Sequence, residues 1–174
     1  MTNNKIKIRI KVGEIVEALE LINNAFFRKR IKNEFNVLCR DYSDVNILID
    51  DSDKENAQVY IKDRNRSYLF IMNTFSYPFT APEIYVNGYK YYEFLRINSD
   101  LERDMVKKMT GIECFKCCSF ACKTNWSPLN TIKNVIDEIN NVYKIRKNIL
   151  NKIIADKIKH KYLLPEIDLN CWFF

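Results

Sequence analysis

Three stretches of this 174-residue chain decide its fold: V-N-I-L-I-D at residues 45–50, A-Q-V-Y-I-K at 57–62 and S-Y-L-F-I-M-N at 67–73. In each stretch, apolar side chains recur at every second position, which is typical of a strand with one face against a core. The segments between them, 51–55 and 63–65, are rich in turn-forming Asp, Asn and Ser. Strands joined by such short turns are predicted to form an antiparallel meander.

A Tyr-Pro corner follows the third strand, with the sequence Y-P-F-T-A-P at residues 77–82. Its two prolines lack a backbone N–H and hold the preceding residues extended, so a central strand cannot continue through it. A fourth short strand is predicted at 84–86. Four aromatic side chains are expected to anchor the core: Phe70, Phe75, Phe79 and Trp126.

Helical periodicity precedes the predicted sheet. Residues 14–41 predict two amphipathic helices or one bent helix, with Asn23 and Asn24 as the interruption. Before them, residues 5–12 alternate strictly between basic and apolar side chains and predict a strand.

Helical periodicity also follows the predicted sheet. A short helix is predicted at 100–109, capped by Asn98 or Ser99, and a longer helical region runs from 132 towards 162. We expect a bend near Asn148, because an unbroken helix would be about 50 Å long. The predicted fold class is α+β, a four-stranded antiparallel meander sheet packed on helices.

Composition excludes several classes of partner. The net charge of +6 is modest and diluted by acidic stretches, so we do not expect nucleic-acid binding. No apolar run reaches the roughly 20 residues that span a bilayer, and the first nine residues lack an apolar signal core, so we expect no membrane partner and a cytoplasmic or nuclear location.

Ile, Asn and Lys number 22, 20 and 19, the bias of an AT-rich coding sequence. This bias favours a protist or a large DNA virus, and for a viral protein the compartment is that of the host cell.

Four of the six cysteines fall within nine residues: Cys114, Cys117, Cys118 and Cys122. In an intracellular chain such a cluster indicates reduced thiols with a catalytic or metal-binding role. We expect the cluster to lie in a loop. Positive charge from Lys116 and Lys123 favours the thiolate of Cys118, which can attack a carbonyl or thioester.

Two segments resemble the ubiquitin-conjugating enzymes. Y-P-F-T-A-P-E-I at 77–84 is similar to that family's Tyr-Pro element between its third and fourth strands. C-S-F-A-C-K-T-N-W-S-P-L-N-T-I at 118–132 is similar to the stretch from its catalytic cysteine through Trp-Ser-Pro into the next helix, with Cys118 eight residues before Trp126. The resemblance covers a conjugating-enzyme-like core, expected at 26–145. Outside it, periodicity predicts an N-terminal strand and helix extension at 1–25 and a C-terminal helical extension packed on the core at 146–174.

By this resemblance, Cys118 carries ubiquitin or a ubiquitin-like protein as a thioester received from a ubiquitin-activating enzyme. A substrate lysine, or the cysteine of a ubiquitin ligase, then takes the acyl group. The acyltransferase so implied needs no metal and no bound cofactor. In the family, the first helix docks the activating enzyme, and basic residues occupy the matching helix here: Arg28, Lys29, Arg30 and Lys32.

The chain departs from the family shortly before the cysteine. The usual His-Pro-Asn motif, whose Asn is assigned to the oxyanion, is missing, and an insertion at roughly 98–116 precedes Cys118. Losing one oxyanion donor commonly costs about 100-fold to 1,000-fold in rate. Candidate substitutes are Asn98, Asn125 or a backbone N–H.

Two alternatives stay open. G-I-E-C at 111–114 also resembles the approach to the catalytic cysteine, although Cys114 lies four residues too far from Trp126. The second alternative is a non-catalytic conjugating-enzyme-like binding module with a zinc-stabilised cysteine loop. Its ligands would be Cys114, Cys117 and Cys122, with a fourth from Cys118, Cys39, Cys171 or His160.

Overall fold

The computed structural model of the chain describes Leu19, residues 22–50 and residues 53–162. The elements run in the order α1 (Ala25–Asp41), β1 (Asp44–Asp50), β2 (Asp53–Asp63), β3 (Arg66–Asn73), β4 (Glu83–Val86), β5 (Tyr89–Lys90), α2 (Tyr91–Phe94), α3 (Asp100–Thr110), α4 (Phe115–Cys118) and α5 (Ile132–Tyr162). The strand predicted at 5–12 lies outside the described residues, as does nearly all of the helix predicted ahead of Asn23. Within the described part, no helix has the length and apolar character needed to cross a membrane.

The sheet is antiparallel and its strands follow chain order, which confirms the meander and the α+β class. It has five strands where the sequence predicted four. The chain turns back at Asn87 and Gly88, whose φ angles are 52° and 83°, and pairs β5 with β4. Asn-Gly is a strong hairpin signal, but a two-residue strand is too short to show alternation.

Apolar side chains cross the buried face of the sheet in register. Ile47 lies opposite Val59, Val59 opposite Phe70, and Phe70 opposite Ile84. All four are buried. Helix α1 packs against β1 and α5, and it adds four buried apolar side chains to the same core: Phe27, Ile31, Phe35 and Leu38.

The helix boundaries follow the capping residues. Helix α1 begins after Asn24, whose Oδ1 accepts the backbone N–H groups of Phe26 and Phe27 at 3.0 and 3.2 Å. This confirms the interruption predicted at Asn23 and Asn24. Ser99 caps α3 with its side chain, and Gly111 ends that helix at a φ of 72°.

Helix α5 is 31 residues long, or about 46 Å at the usual rise. The helix is continuous over this whole range. The sequence predicted a bend near Asn148, but the helix is not interrupted there. Thr131 and Asn134 cap its start reciprocally, each side chain accepting the backbone N–H of the other. Ile149 is buried, whereas Ile158 near the far end is 46% exposed.

Candidate active site

Asparagine side chains hold the Tyr-Pro corner in place. Asn73 Oδ1 accepts two backbone N–H groups of the turn, at 3.1 and 3.0 Å, as β3 ends. Asn24 Nδ2 donates to the carbonyl oxygen of Thr74 at 2.8 Å, so the start of α1 holds the same turn. The peptide bond between Tyr77 and Pro78 is cis.

A buried carboxylate, Glu34 of α1, ties the corner to α5. The hydroxyl of Tyr77 donates to its Oε1 at 2.6 Å, and the backbone N–H of Ile132 donates to its Oε2 at 2.8 Å. Arg30 pairs with the same carboxylate and donates from Nη2 to the Asn130 carbonyl at 2.7 Å. Burial, together with the nearby Glu34 carboxylate, raises the pKa of Tyr77, so its hydroxyl keeps its proton and remains a donor.

The two segments that carry the family resemblance are in direct contact. Trp126 Nε1 donates to the carbonyl oxygen of Pro78 at 2.7 Å. The Trp126 ring also packs against Tyr77, with 6.2 Å between ring centroids. A half-buried indole therefore fixes the chain after the cysteine cluster onto the Tyr-Pro corner.

Cys118 ends the one-turn helix α4, so the expectation that the cluster lies in a loop was wrong for two of its members. The backbone N–H of Cys118 donates to the carbonyl of Cys114 at 3.3 Å, closing the turn. A four-residue helix is too short to show helical periodicity in the sequence. Cys117 and Cys118 are exposed, and Cys122 is half-buried. Among the described side chains, none hydrogen-bonds the sulfur of Cys118.

Asn125 acts on the backbone beside Cys118. Its Nδ2 donates to the carbonyl oxygens of Cys117 at 2.8 Å and Ser119 at 3.1 Å. A carboxamide has two N–H donors, so both are used here. Asn125 is therefore a positioning residue. The other candidate, Asn98, is an exposed residue just before α3.

Glu138 of α5, which the sequence analysis did not single out, anchors the end of the cysteine segment. It accepts the hydroxyl of Tyr91 at 2.6 Å and the backbone N–H of Phe120 at 3.2 Å. Tyr92 adds a third anchor by donating to the Ala121 carbonyl at 3.1 Å. The sequence signal that could have identified Glu138 is its position beside the apolar stripe of α5. Glu34 lies beside the apolar stripe of α1 in the same way.

The local contacts favour the thiolates of Cys114 and Cys122. The Cys117 side chain, together with its backbone N–H at 3.3 Å from the Cys114 sulfur, lowers the pKa of Cys114. The Thr124 hydroxyl, 3.3 Å from the Cys122 sulfur, lowers the pKa of Cys122. Lys116 adds a smaller lowering effect at both thiols.

Aromatic side chains near the corner divide between core and surface. Phe70 is fully buried, as predicted, but Phe75 and Phe79 are 64% and 68% exposed, so their prediction as core anchors was wrong. Both belong to the turn, and turns run over the surface of a domain. Phe26 is also exposed and stacks on Phe79, with 6.0 Å between ring centroids.

The basic face of α1 is smaller than the sequence predicted. Lys29 and Lys32 are exposed. Arg30, in contrast, is turned to Glu34 and retains only 23% of its side-chain exposure. Its spacing of four residues from Glu34 is the sequence signal for this ion pair.

The cysteines are not arranged around a common centre. Among the described residues, no group of three His, Cys, Asp or Glu side chains lies close enough to hold one metal ion. A structural zinc site uses four such ligands in a tetrahedron. Cys171 and the side chain of His160 lie outside the described part.

Cys118 presents an exposed thiol at the end of the one-turn helix α4. Asn125 holds the carbonyl oxygens on either side of it, and Glu138 holds the N–H of Phe120. An acyl donor can therefore approach a thiol whose surrounding backbone is fixed. Nucleophilic acyl transfer through that thiol is the chemistry which these groups support. In comparisons with known proteins, no family model, no curated protein and no solved structure matches the chain.

Proposed function

We propose that this chain is a divergent ubiquitin-conjugating enzyme, with ubiquitin or a ubiquitin-like protein held as a thioester on Cys118. The observation that carries the proposal is the hydrogen bond from Trp126 to Pro78, which joins the two segments similar to that family. It holds the chain that follows Cys118 against the corner, while Cys118 itself stays exposed. The order of helix, meander, corner, cysteine and long helix agrees with the same proposal.

The proposed reaction is two successive acyl transfers. The Cys118 thiolate attacks the carbonyl carbon of the thioester carried by the ubiquitin-activating enzyme. The tetrahedral intermediate collapses, the activating enzyme's thiolate leaves, and a new thioester forms on Cys118. A substrate lysine amine, or a ubiquitin ligase thiolate, repeats the attack and releases Cys118. No metal and no bound cofactor takes part in these steps.

We assign stabilisation of the oxyanion to the backbone N–H of Ser119. The neighbouring N–H groups are already bonded, those of Cys117 and Cys118 to Cys114 and that of Phe120 to Glu138. Two more, at residues 121 and 122, bond to Ser119 itself. Among the backbone N–H groups of residues 117–122, only that of Ser119 donates to no acceptor in the described part of the chain. This N–H belongs to the residue that directly follows Cys118, and the reaction needs a donor close to the reacting carbonyl.

We assign docking of the activating enzyme to the exposed surface between α1 and the corner. Phe26 and Phe79 stack there in the open, and Lys29 and Lys32 continue the surface along α1. Exposed apolar side chains rimmed by charge mark protein interaction sites. Phe79→Ala should slow thioester formation without unfolding the chain, because the side chain is mostly in solvent.

A thioester assay tests the proposal. The protein, ubiquitin, ubiquitin-activating enzyme and ATP are run on non-reducing gels beside three matched variants: Cys118→Ala, Cys114→Ala and Cys122→Ala. We expect a reducible adduct that is lost in Cys118→Ala alone. Cys114→Ala and Cys122→Ala are the critical controls because local contacts lower the pKa values of both thiols.

Two results would overturn this proposal. An adduct lost only in the Cys114 or Cys122 variant would move the nucleophile. No adduct with ubiquitin or a panel of ubiquitin-like proteins, from protein with an intact circular-dichroism spectrum, would remove the enzyme activity.

The second candidate is a conjugating-enzyme-like module that binds ubiquitin without forming a thioester. One observation favours it: both N–H donors of Asn125 are committed to backbone carbonyls, so this Asn cannot replace the one in the missing His-Pro-Asn motif. Binding of isotope-labelled ubiquitin, followed by NMR, with no adduct in the assay above, is the result that selects this candidate.

A further inference from the structure

A second chemical feature lies immediately before Cys118 and plays no part in the proposed thioester. Cys114 and Cys117 are in contact across α4: the backbone N–H of Cys117 donates to the Cys114 sulfur at 3.3 Å. The Cys117 side chain also lowers the pKa of the Cys114 thiol. Cys117 is exposed and Cys114 is half-buried, so a small reagent can reach the pair.

The contact gives the two thiols different roles. The Cys117 side chain and its backbone N–H, which donates to the Cys114 sulfur, lower the pKa of Cys114. The same contact raises the pKa of Cys117, because a second negative charge beside the Cys114 thiolate is unfavourable. Cys114 is therefore the thiol that attacks first, and Cys117 is the protonated thiol that follows.

Cationic side chains lie beside the attacking thiol. Cys114 lines an open groove of about 460 Å³ whose walls include Arg96 and Lys116. A third cation there, Arg103, is paired with Asp100 at 2.8 Å. The acidic side chain in the groove, Glu113, is neutralised by Lys107 at 2.6 Å. A reagent that carries carboxylates is attracted to such a groove, whereas a neutral one is not.

We propose that Cys114 and Cys117 form a dithiol–disulfide site that reacts with small disulfides bearing carboxylates. This inference does not depend on the proposed acyl transfer. Dithiols of this spacing are reactive in reducing compartments, where disulfides are transient and serve redox chemistry.

The reaction balances as two thiol–disulfide exchanges. The Cys114 thiolate attacks one sulfur of the small disulfide RSSR, forming a mixed disulfide Cys114–S–SR and releasing RS⁻. Cys117 loses its proton to the released thiolate or to solvent. Its thiolate attacks the Cys114 sulfur and expels the second RS⁻. Two protein thiols are oxidised to one disulfide, and RSSR is reduced to two RSH.

Oxidised glutathione is the probe for the test, applied to the full-length, pre-reduced chain. After acid quenching, free thiols are alkylated and the protein is digested with trypsin. Cleavage after Lys108, Lys116 and Lys123 places Cys114 in peptide 109–116 and Cys117 in peptide 117–123. The expected disulfide therefore joins two peptides, and fragment ions assign it to Cys117, Cys118 or Cys122.

Three serine variants give the test its resolution. Cys117→Ser should stop at a mixed disulfide of glutathione on Cys114. Cys114→Ser should lose both the mixed disulfide and the joined peptides. Cys122→Ser is the matched control, because Cys122 lies in the same segment and also has a lowered pKa; it should leave the Cys114–Cys117 disulfide unchanged.

A neutral reagent, hydroxyethyl disulfide, tests the preference for anions. We expect wild-type protein to react faster with glutathione disulfide, and Arg96→Gln to remove most of that difference. A wild-type chain that stays fully reduced, or a disulfide that joins Cys114 to Cys118 or Cys122, would overturn the pairing. Equal rates with the two reagents would overturn the assignment of an anionic substrate.

Discussion

The indole N–H of Trp126 donates to the carbonyl oxygen of Pro78 across 2.7 Å, joining residues 48 positions apart. Pro78 follows Tyr77, whose hydroxyl is bound by Glu34 of α1. The corner is thus held from both sides, by the first helix and by the segment after the cysteines. Any change at the corner is therefore transmitted to both.

Tyr77→Phe should destabilise the fold by about 1.5–3 kcal/mol, the usual range for a hydrogen bond to a charged group. Without the hydroxyl, Oε1 of the buried Glu34 carboxylate loses its hydrogen bond from Tyr77. Urea unfolding followed by tryptophan fluorescence measures the change.

Tyr85→Phe is the matched control: its hydroxyl also donates to a carboxylate, Glu83, at 2.8 Å, but in an exposed position. That variant should lose far less stability, because water screens an exposed contact. Equal losses in the two variants would contradict the role given to burial.

Stability should fall as the pH rises above about 10, the ordinary pKa of tyrosine. Burial and neighbouring carboxylates raise the pKa values of Tyr77 and Tyr91 in the folded chain. A raised pKa means that the folded state keeps protons which the unfolded state releases. The stabilisation that these two tyrosines contribute is therefore complete below pH 10 and is lost at higher pH.

Unfolding free energies measured from pH 8 to pH 11.5 check this. Tyr77→Phe should reduce the loss by up to about 1.4 kcal/mol per pH unit above pH 10. A slope identical to that of the wild type would mean that Tyr77 ionises freely in the folded state.

Asn125→Ala should loosen the backbone around the nucleophile. It removes two hydrogen bonds to carbonyl oxygens, each worth about 1 kcal/mol, so hydrogen–deuterium exchange in residues 117–122 should quicken by about tenfold or more. Asn98→Ala, at an exposed site before α3, is the control and should leave that exchange unchanged. A thioester rate about 100-fold lower with unaltered exchange would instead identify Asn125 as a direct oxyanion donor.

Protein purified without chelator should contain far less than one zinc ion per chain. The described thiols do not gather around a common centre, and a stable structural site requires four ligands. Elemental analysis measures the content. Stoichiometric zinc that disappears in Cys122→Ser would restore the zinc-stabilised loop.

The sheet was predictable because alternation in three strands is a strong local signal, and the observed β1, β2 and β3 include the predicted stretches. The sequence also predicted the interruption at Asn23 and Asn24 before α1, and it gave Ser99 as one of two candidate caps of α3. The fifth strand and the α4 turn were not, since two to four residues carry no periodicity. Glu34 and Glu138 were missed for another reason: each stands beside an apolar helical stripe, but the tyrosines and backbone N–H groups that they bind lie 43 to 98 and 18 to 47 positions away, and no local pattern identifies such distant partners.

The position of Glu34 also bears on the order in which the chain folds. Hairpins such as β1–β2 and β2–β3 close loops of a few residues, so their contacts form at little entropic cost. Glu34, in contrast, meets Ile132 across 98 residues of intervening chain. We therefore expect the meander to form before this carboxylate is enclosed, with the docking of α5 onto α1 as a late event. Substitutions at Glu34 then act mainly on the rate of unfolding and leave the rate of folding nearly unchanged.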